Sequence, residues 1–262
     1  MLKKNRENNH SDVVILVVSC DAYKDLWPAY FHSLFKYWPD CPYQICLGSN
    51  ESEFPDSRVK PIMIGPDKEY SSNLLEMLKR VESSWIILWI EDLFISKKID
   101  TNYISKLVNI AQENKVGYLK LDIGTPWAFT KNKNELVGPL PKGIKYRSGI
   151  GLALWNKKTL QKLLIPGESA WEIERNGSKR SNSLAEPFYS LTPTVRLNPP
   201  ITVINSVIKG KWSPDVLEFL KNEGFGYCIP NRKHQSLWSY LYGKAYLFRL
   251  DIYRIFRKYW YE

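Results

Sequence analysis

The first apolar run begins at Val13 and continues to Cys20, mostly β-branched and continuous instead of alternating. Such a run marks a strand covered on both faces. A helical pattern follows from about Trp27 to Trp38, then a short strand over Tyr43–Leu47. A polar loop from Asn50 to Asp56 leads to a third strand over Val59–Ile64. Leu74, Leu75, Leu78 and Val81 recur at helical spacing within Ser71–Val81, where Ser71 or Ser72 is the expected N-cap. Trp85–Ile90 is a strongly apolar strand that stops at Glu91-Asp92. Tyr103–Asn114 is predicted helical and Gly117–Leu121 a strand. Strands and helices that alternate in this way predict an α/β fold with a mostly parallel sheet flanked by helices.

The stretch from Gly124 to Gly143 is rich in Gly, Pro, Lys and Asn and reads as a long loop or short hairpin. A loop of that length in a compact domain is usually functional. Ile150–Trp155 is then predicted as a strand and Lys158–Leu164 as a helix, with a turn at Pro166–Ser169 into a second helix start over Ala170–Glu174. Val203–Ile208 is strand-like and Pro214–Asn222 helical. From Leu237 onward, Leu237, Leu241, Ala245, Phe248, Ile252, Ile255 and Tyr259 fall on one stripe. Arg249, Arg254, Arg257 and Lys258 lie off its centre, and Trp238, Tyr240, Tyr242, Tyr246 and Trp260 add aromatic rings. That is a basic, aromatic amphipathic helix of the kind that lies in a bilayer interface. The chain is expected to divide into a flexible tail (1–11), one α/β unit (12–230, in halves 12–122 and 123–230) and a C-terminal amphipathic helical extension (231–262).

A hydrophobic share of 44% and a charged share of 24% in 262 residues allow one large core and argue against extensive disorder. Aromatic residues make up 14%, with ten Trp and sixteen Tyr, a composition shared by carbohydrate-handling proteins, large cores and membrane-interface belts. The formal charge of +10 points to anionic partners: phosphorylated small molecules, acidic lipid or nucleic acid. The positive charge concentrates in the tail and does not interleave with a recognition fold, so a nucleic-acid partner is not expected. Cys20, Cys41, Cys46 and Cys228 form no CxxC pair and have no His at metal spacing; they read as free thiols in a reducing cytoplasm. Val13–Val18 is too short to span a bilayer and lacks a cleavage site, and no later segment offers about 18 uncharged apolar residues. The expectation is a cytoplasmic chain with neither signal peptide nor transmembrane anchor.

The chemical signal is strongest at Glu91-Asp92. In open α/β sheets ligands bind beyond the carboxyl ends of the strands, and adjacent carboxylates there can hold a divalent cation against a diphosphate. Asp21 closes the first strand, whose end is expected beside the fourth. Glu172 and Glu174 lie two apart at a helix start, so at most one points into a given site. Lys209, Gly210 and Lys211 let backbone and ammonium groups approach a diphosphate, and Trp212 offers a stacking face. Asn205 lies just upstream. His10, His32 and His234 form no triad or zinc pattern, and no phosphate loop is present.

The conjunction of a first strand ending in Asp21, a helix beginning near Tyr70-Ser71-Ser72-Asn73 and Ile87–Phe94 with its acidic pair resembles the nucleotide-binding half of the glycosyltransferase-A fold. The segment Gly151–Trp155, the helix Thr159–Leu164 and the acids of Glu168–Glu174 resemble its acceptor half. The similarity covers residues 12 to 230 and is nearest to family-2-like bacterial transferases of surface-polysaccharide assembly. It implies a nucleotide-sugar donor, a saccharide or lipid-linked saccharide acceptor and inverting transfer, with Mn²⁺ or Mg²⁺ on Asp92 and Glu91. It further implies donor contacts from Asp21, Ser72, Lys209, Lys211 and Trp212, and a base at Glu172 or Glu174, the first ranked higher. The family's metal motif is Asp-x-Asp, from which the adjacent Glu91-Asp92 departs. With the basic terminal helix, the resemblance implies a peripheral position at the inner face of the cell membrane. The rival readings are a nucleotidyltransferase on sugar phosphates and a non-catalytic basic nucleic-acid- or membrane-binding protein; the former normally carries a Gly-rich loop after the first strand, and Ser19–Asp25 has no glycine.

Overall fold

The structure is a computed structural model that describes residues 12–124, 126, 128 and 135–256. The expected tail over 1–11, and Arg257, Lys258, Tyr259 and Trp260 of the terminal helix, lie outside the described residues.

In chain order the elements are β1 (Val13–Val18), α1 (Trp27–Tyr37), β2 (Gln44–Ser49), β3 (Val59–Met63), α2 (Tyr70–Arg80), β4 (Trp85–Ile90), β5 (Leu93–Ile95) and α3 (Thr101–Glu113). There follow β6 (Tyr118–Lys120), β7 (Val137–Pro139), β8 (Ala153–Asn156), α4 (Lys157–Leu163), α5 (Ala170–Glu172) and α6 (Ser178–Ser181). The last are β9 (Phe188–Leu191), β10 (Val203–Asn205), β11 (Val207–Ile208), β12 (Lys211–Trp212), α7 (Pro214–Asn222) and α8 (Leu237–Phe256).

One eight-stranded sheet has the order β3-β2-β1-β4-β8-β6-β9-β7. β3, β2, β1 and β4 are parallel neighbours, β8 runs antiparallel to β4 and β6, β9 is parallel to β6, and β7 closes the edge antiparallel. The mostly parallel α/β fold expected from the sequence is therefore present. Every residue of β1 is buried. Val13, Ile15 and Val17 pack with Tyr30, Phe31 and Leu34 of α1 and with α3 and α7, while Val14, Leu16 and Val18 pack with Leu74 and Leu78 of α2 and with α4. Two covered faces explain the unbroken apolar run. On β2, a Cβ at Gly48 would stand 2.3 Å from the Met77 sulfur, so the glycine lets α2 lie close to the sheet.

Several local expectations change. The α2 N-cap is Glu69 with no side-chain cap bond. Ser71 Oγ and Ser72 Oγ instead accept the backbone N–H groups of Glu168 (2.9 Å) and Gly167 (3.2 Å), tying α2 to that turn. The strand ending at Glu91-Asp92 resumes as β5, which pairs antiparallel with β10. Val203–Ile208 is two strands, because Ser206 turns its N–H to the Asp92 carbonyl (2.7 Å).

α7 is joined to α1 by one carboxylate. Glu223, at the α7 C-cap, accepts hydrogen bonds from Lys36 (2.7 and 2.8 Å) and Tyr37 (2.8 Å) and lies 2.9 Å from His32 Nε2. Burial opposes its ionisation, but the bonds from Lys36, His32 and Tyr37 outweigh it and hold the carboxyl down at about 2. A folded-state pKa below the unfolded value of about 4.3 gives stability that is complete above the unfolded pKa and lost as pH falls through the folded one. Glu223→Gln should therefore cost on the order of 1–3 kcal/mol near neutrality, since it removes an ionised acceptor from three donors. In thermal melts the gap from wild type should narrow as the pH falls from about 4 toward 2; a gap independent of pH would assign the loss to packing.

Candidate active site

Val18 of β1 stands beside Ile90 of β4, so the carboxyl ends of both strands open onto the same edge. Immediately beyond β4, Glu91 and Asp92 form a kink held from both sides. The Trp89 indole N–H donates to the Leu93 carbonyl (2.9 Å), and Asp92 O accepts from Ser206. Glu91 is buried, with 7% of its surface exposed. Burial, with Asp92 adjacent, raises the Glu91 pKa well above the carboxylate range, and burial pushes Asp92 up to about 6. Both face a cavity of about 680 Å³, a size typical of small-molecule sites. Its walls include Ser19, Cys20 and Tyr23 after β1, Asp67, Lys68, Tyr70 and Asn73 around the start of α2, Ile150 and Gly151 before β8, Ala170, Trp171 and Glu174, and Asn205, Val207, Ile208 and Lys209. A cavity of about 530 Å³ beside α3, with Asn102, Lys106 and Asn198 in its lining, has no carboxylate in its described walls.

The two candidate bases part company. Glu172 closes a capping box at the start of α5: its carboxylate accepts from Ser169 N–H (2.9 Å) and Ser169 Oγ–H (2.6 Å), while Ser169 Oγ accepts from Glu172 N–H (3.4 Å). These bonds from the Ser169 side chain and backbone lower its pKa. Glu174 lies where α5 passes into a π-helical turn over Ile173–Gly177, and it lines the cavity. A Cβ at Gly149 would stand 3.4 Å from its Oε1. Burial raises the Glu174 pKa, against a bond from the Ile150 N–H and the charge of Lys120. The segment is fastened by Arg180, which bonds Glu168 (2.5 and 2.9 Å) and the Leu163 carbonyl (2.6 and 2.9 Å). Glu172, the higher-ranked of the two, builds the turn, whereas Glu174 faces the cavity.

The remaining candidates are also distributed. Asp21 lies beside the cavity and is not in its wall; its carboxylate accepts from Asn50 N–H (3.0 Å), Glu51 N–H (3.2 Å) and Ser52 Oγ (2.8 Å), and so shapes the loop after β2. Ser72 faces the Gly167 turn, and it is Asn73 that reaches the cavity, holding Asp67 (2.6 Å) and the Lys68 N–H (3.1 Å). β11 and β12 form a hairpin whose two turn residues, Lys209 and Gly210, have φ of 50° and 74°, as a type I′ turn requires. Lys209 lines the cavity, while Lys211 is exposed outside its wall. Trp212 has no free face: it is fully buried opposite Val207, and its indole N–H donates to the Ile229 carbonyl (3.1 Å). Its expected stacking role gives way to a core role, because residues 233–235 fold back over β12. Sequence reasoning passed over Trp171, Tyr23, Asn73 and Tyr70; an aromatic residue directly before the acidic helix start was the one available signal.

The residues partly fit a divalent cation. Asp92 Oδ1 is buried without a hydrogen-bond partner, the kind of oxygen a hard cation takes, and Glu91 adjoins it. Among the described residues no group of three His, Cys, Asp or Glu could hold a metal. The two carboxylates would thus supply part of a coordination shell whose other ligands come from a diphosphate and water.

No family model matches the chain, and no curated protein matches its sequence. Among solved structures it is similar to residues 1–349 of S. aureus TarS, with 13% identity, 69% of this chain and 60% of that chain covered and a TM-score of 0.45. It is similar to the mannosyltransferase PcManGT from Pyrobaculum calidifontis in complex with GDP-Man and Mn²⁺, with 11% identity, coverage of 90% and 69%, and a TM-score of 0.49. A cytidylyltransferase from Leptospira borgpetersenii gives 13% identity, coverage of 86% and 99%, and a TM-score of 0.47. The chain spans 60% of the length of the TarS chain. Such likeness concerns the fold, and the chemistry rests on this chain's own residues.

A ligand that binds the folded cavity raises the melting temperature by mass action, by about 5–10 °C at a hundredfold excess over Kd in a chain of this size. Nucleoside diphosphates with Mn²⁺ should produce that shift, and Asp92→Asn should remove its metal-dependent part with the unliganded melt preserved. A shift indifferent to both metal and Asp92→Asn would exclude a cation at this pair.

Proposed function

We propose that the protein transfers a sugar from a nucleotide-sugar donor to a hydroxyl of a saccharide acceptor, in one inverting displacement. The observation that supports this reading is a cavity that joins a carboxylate pair at the end of the parallel strand β4 to a separate carboxylate of raised pKa, Glu174, on another element. In the displacement the acceptor oxygen forms a bond to the anomeric carbon as the bond from that carbon to the diphosphate breaks. Glu174 takes the proton of the attacking hydroxyl, for which a carboxylate of raised pKa is better suited than the low-pKa Glu172. Glu91 and Asp92 would hold a divalent cation at the diphosphate end of the donor, and Lys209 offsets charge that gathers on the leaving group. A cation at the pair, when bound, supplies electrostatic stabilisation of that leaving group. Asn73, Tyr70 and Lys68 border the donor side. The donor's base and sugar follow from no residue named here.

The acceptor side of the proposal is a lipid-linked saccharide, as in surface-polysaccharide assembly, met at the inner face of the membrane. No helix among the described residues is long and apolar enough to cross a membrane. α8 instead presents Trp238, Tyr242 and Phe248 to solvent, 84%, 75% and 66% exposed, and its described ties to the domain run through Asp215, bonded by Tyr240 and Lys244. A basic helix with bare aromatic residues suits an anionic interface better than its own core.

Glu174→Gln keeps shape and removes basicity, so turnover should fall about 10²–10⁴-fold with nucleotide binding kept. In wild type the acid limb of the rate profile should lie above the ordinary Glu range of about 4.3, since the base is lost as pH falls through its raised pKa. Glu172→Gln should lower the melting temperature and spare most turnover. If Glu174→Gln retains full rate, the inverting mechanism with this base is wrong.

Truncation after Ser236 leaves the 233–235 contacts with Trp212 in place and removes α8. It should abolish co-sedimentation with phosphatidylglycerol vesicles and leave the melting temperature unchanged. Retained lipid binding would detach α8 from the membrane.

A further inference from the structure

Outside α8, no described large apolar side chain is as exposed as Trp171, with 74% of its surface open. It is the second residue of α5, directly inside the capping box of Ser169 and Glu172, on a segment anchored by the Arg180–Glu168 pair. A large indole left in water on a fixed turn gains nothing for the fold. Its position gives it a use. Trp171 lines the main cavity, as does Glu174 three residues further on. The same cavity is lined from the β11–β12 hairpin by Ile208, 36% exposed, and by Lys209.

We propose that Trp171 is the platform of the acceptor subsite and stacks on the C–H face of a pyranose ring. This rests on the transfer reading above. A pyranose has an apolar face of axial hydrogens and a rim of hydroxyls. The indole and Ile208 cover the face on two sides, leaving the rim to Glu174, which receives the proton of the reacting hydroxyl, and to the amide of Asn205 and the ammonium of Lys209. A nucleobase is the other planar ligand an indole can stack, but the carboxylates assigned to the diphosphate end follow β4, while Trp171 stands on α5, three residues before the proposed base.

The test is saturation-transfer NMR and titration with methyl pyranosides of gluco, galacto and manno configuration and their β-linked disaccharides. Wild type, Trp171→Ala and Trp171→Phe are compared, each also melted with nucleoside diphosphates and Mn²⁺. The expected result is saturation of one face of a bound sugar in wild type, and a Kd at least about tenfold weaker in Trp171→Ala. Trp171→Phe should retain most of the affinity, and the nucleotide melting shift should be equal in all three. Equal sugar binding by wild type and Trp171→Ala overturns the proposal, as does the absence of binding by wild type to every sugar tested. A nucleotide shift lost with Trp171→Ala also overturns it and moves the indole to the donor base. A nucleotide shift absent from wild type, with sugar binding dependent on Trp171, would instead retire the donor reading and leave the saccharide platform standing.

Discussion

Parallel pairing of β1 with β4 in a sheet covered on both faces is the constraint on which the site depends. Side chains from either face of these strands go into core, so polar chemistry can appear only where the strands end. The shared register from Val13↔Trp85 to Val18↔Ile90 makes both ends coincide, and the acids beyond Ile90 come to one edge with Cys20 and Tyr23. The kink between β4 and β5 then keeps Glu91 and Asp92 from continuing into the sheet, and β10 and Ser206 hold the kink. Two adjacent carboxyl groups are thereby buried with incomplete solvation, and that burial raises their pKa values.

The half of the site built on parallel strands was legible because its signal is local. Val13–Cys20 and Trp85–Ile90 are continuous apolar runs, and a charge ending such a run marks the edge of the sheet. β8 obeys the opposite rule. It runs antiparallel to β4, so its beginning reaches the cavity, and Ile150 and Gly151 enter the wall from upstream of the strand. Four-residue β9 and three-residue β7 are too short to show a period, and their pairing is decided by β6 and by each other.

Glu172 and Glu174 could not be separated by helical spacing, because the regular helix ends between them. The capping box takes one acid, and the π-helical turn carries the next past Gly149 to the Ile150 N–H. Trp212 misled for a related reason. Between Lys211 and Ser213 it looks exposed, but a two-residue turn places it opposite Val207, and the chain from Lys233 to Gln235 returns to cover it.

That same turn imposes a preference on its own sequence. Both of its residues adopt left-handed backbone angles, which glycine meets without strain and asparagine with little, whereas an ordinary side chain is disfavoured by roughly 1–2 kcal/mol. By backbone economy alone, position 209 would hold asparagine or glycine. It holds a lysine, which lines the cavity. The hairpin therefore tolerates a residue that its geometry disfavours at the corner where it borders the cavity.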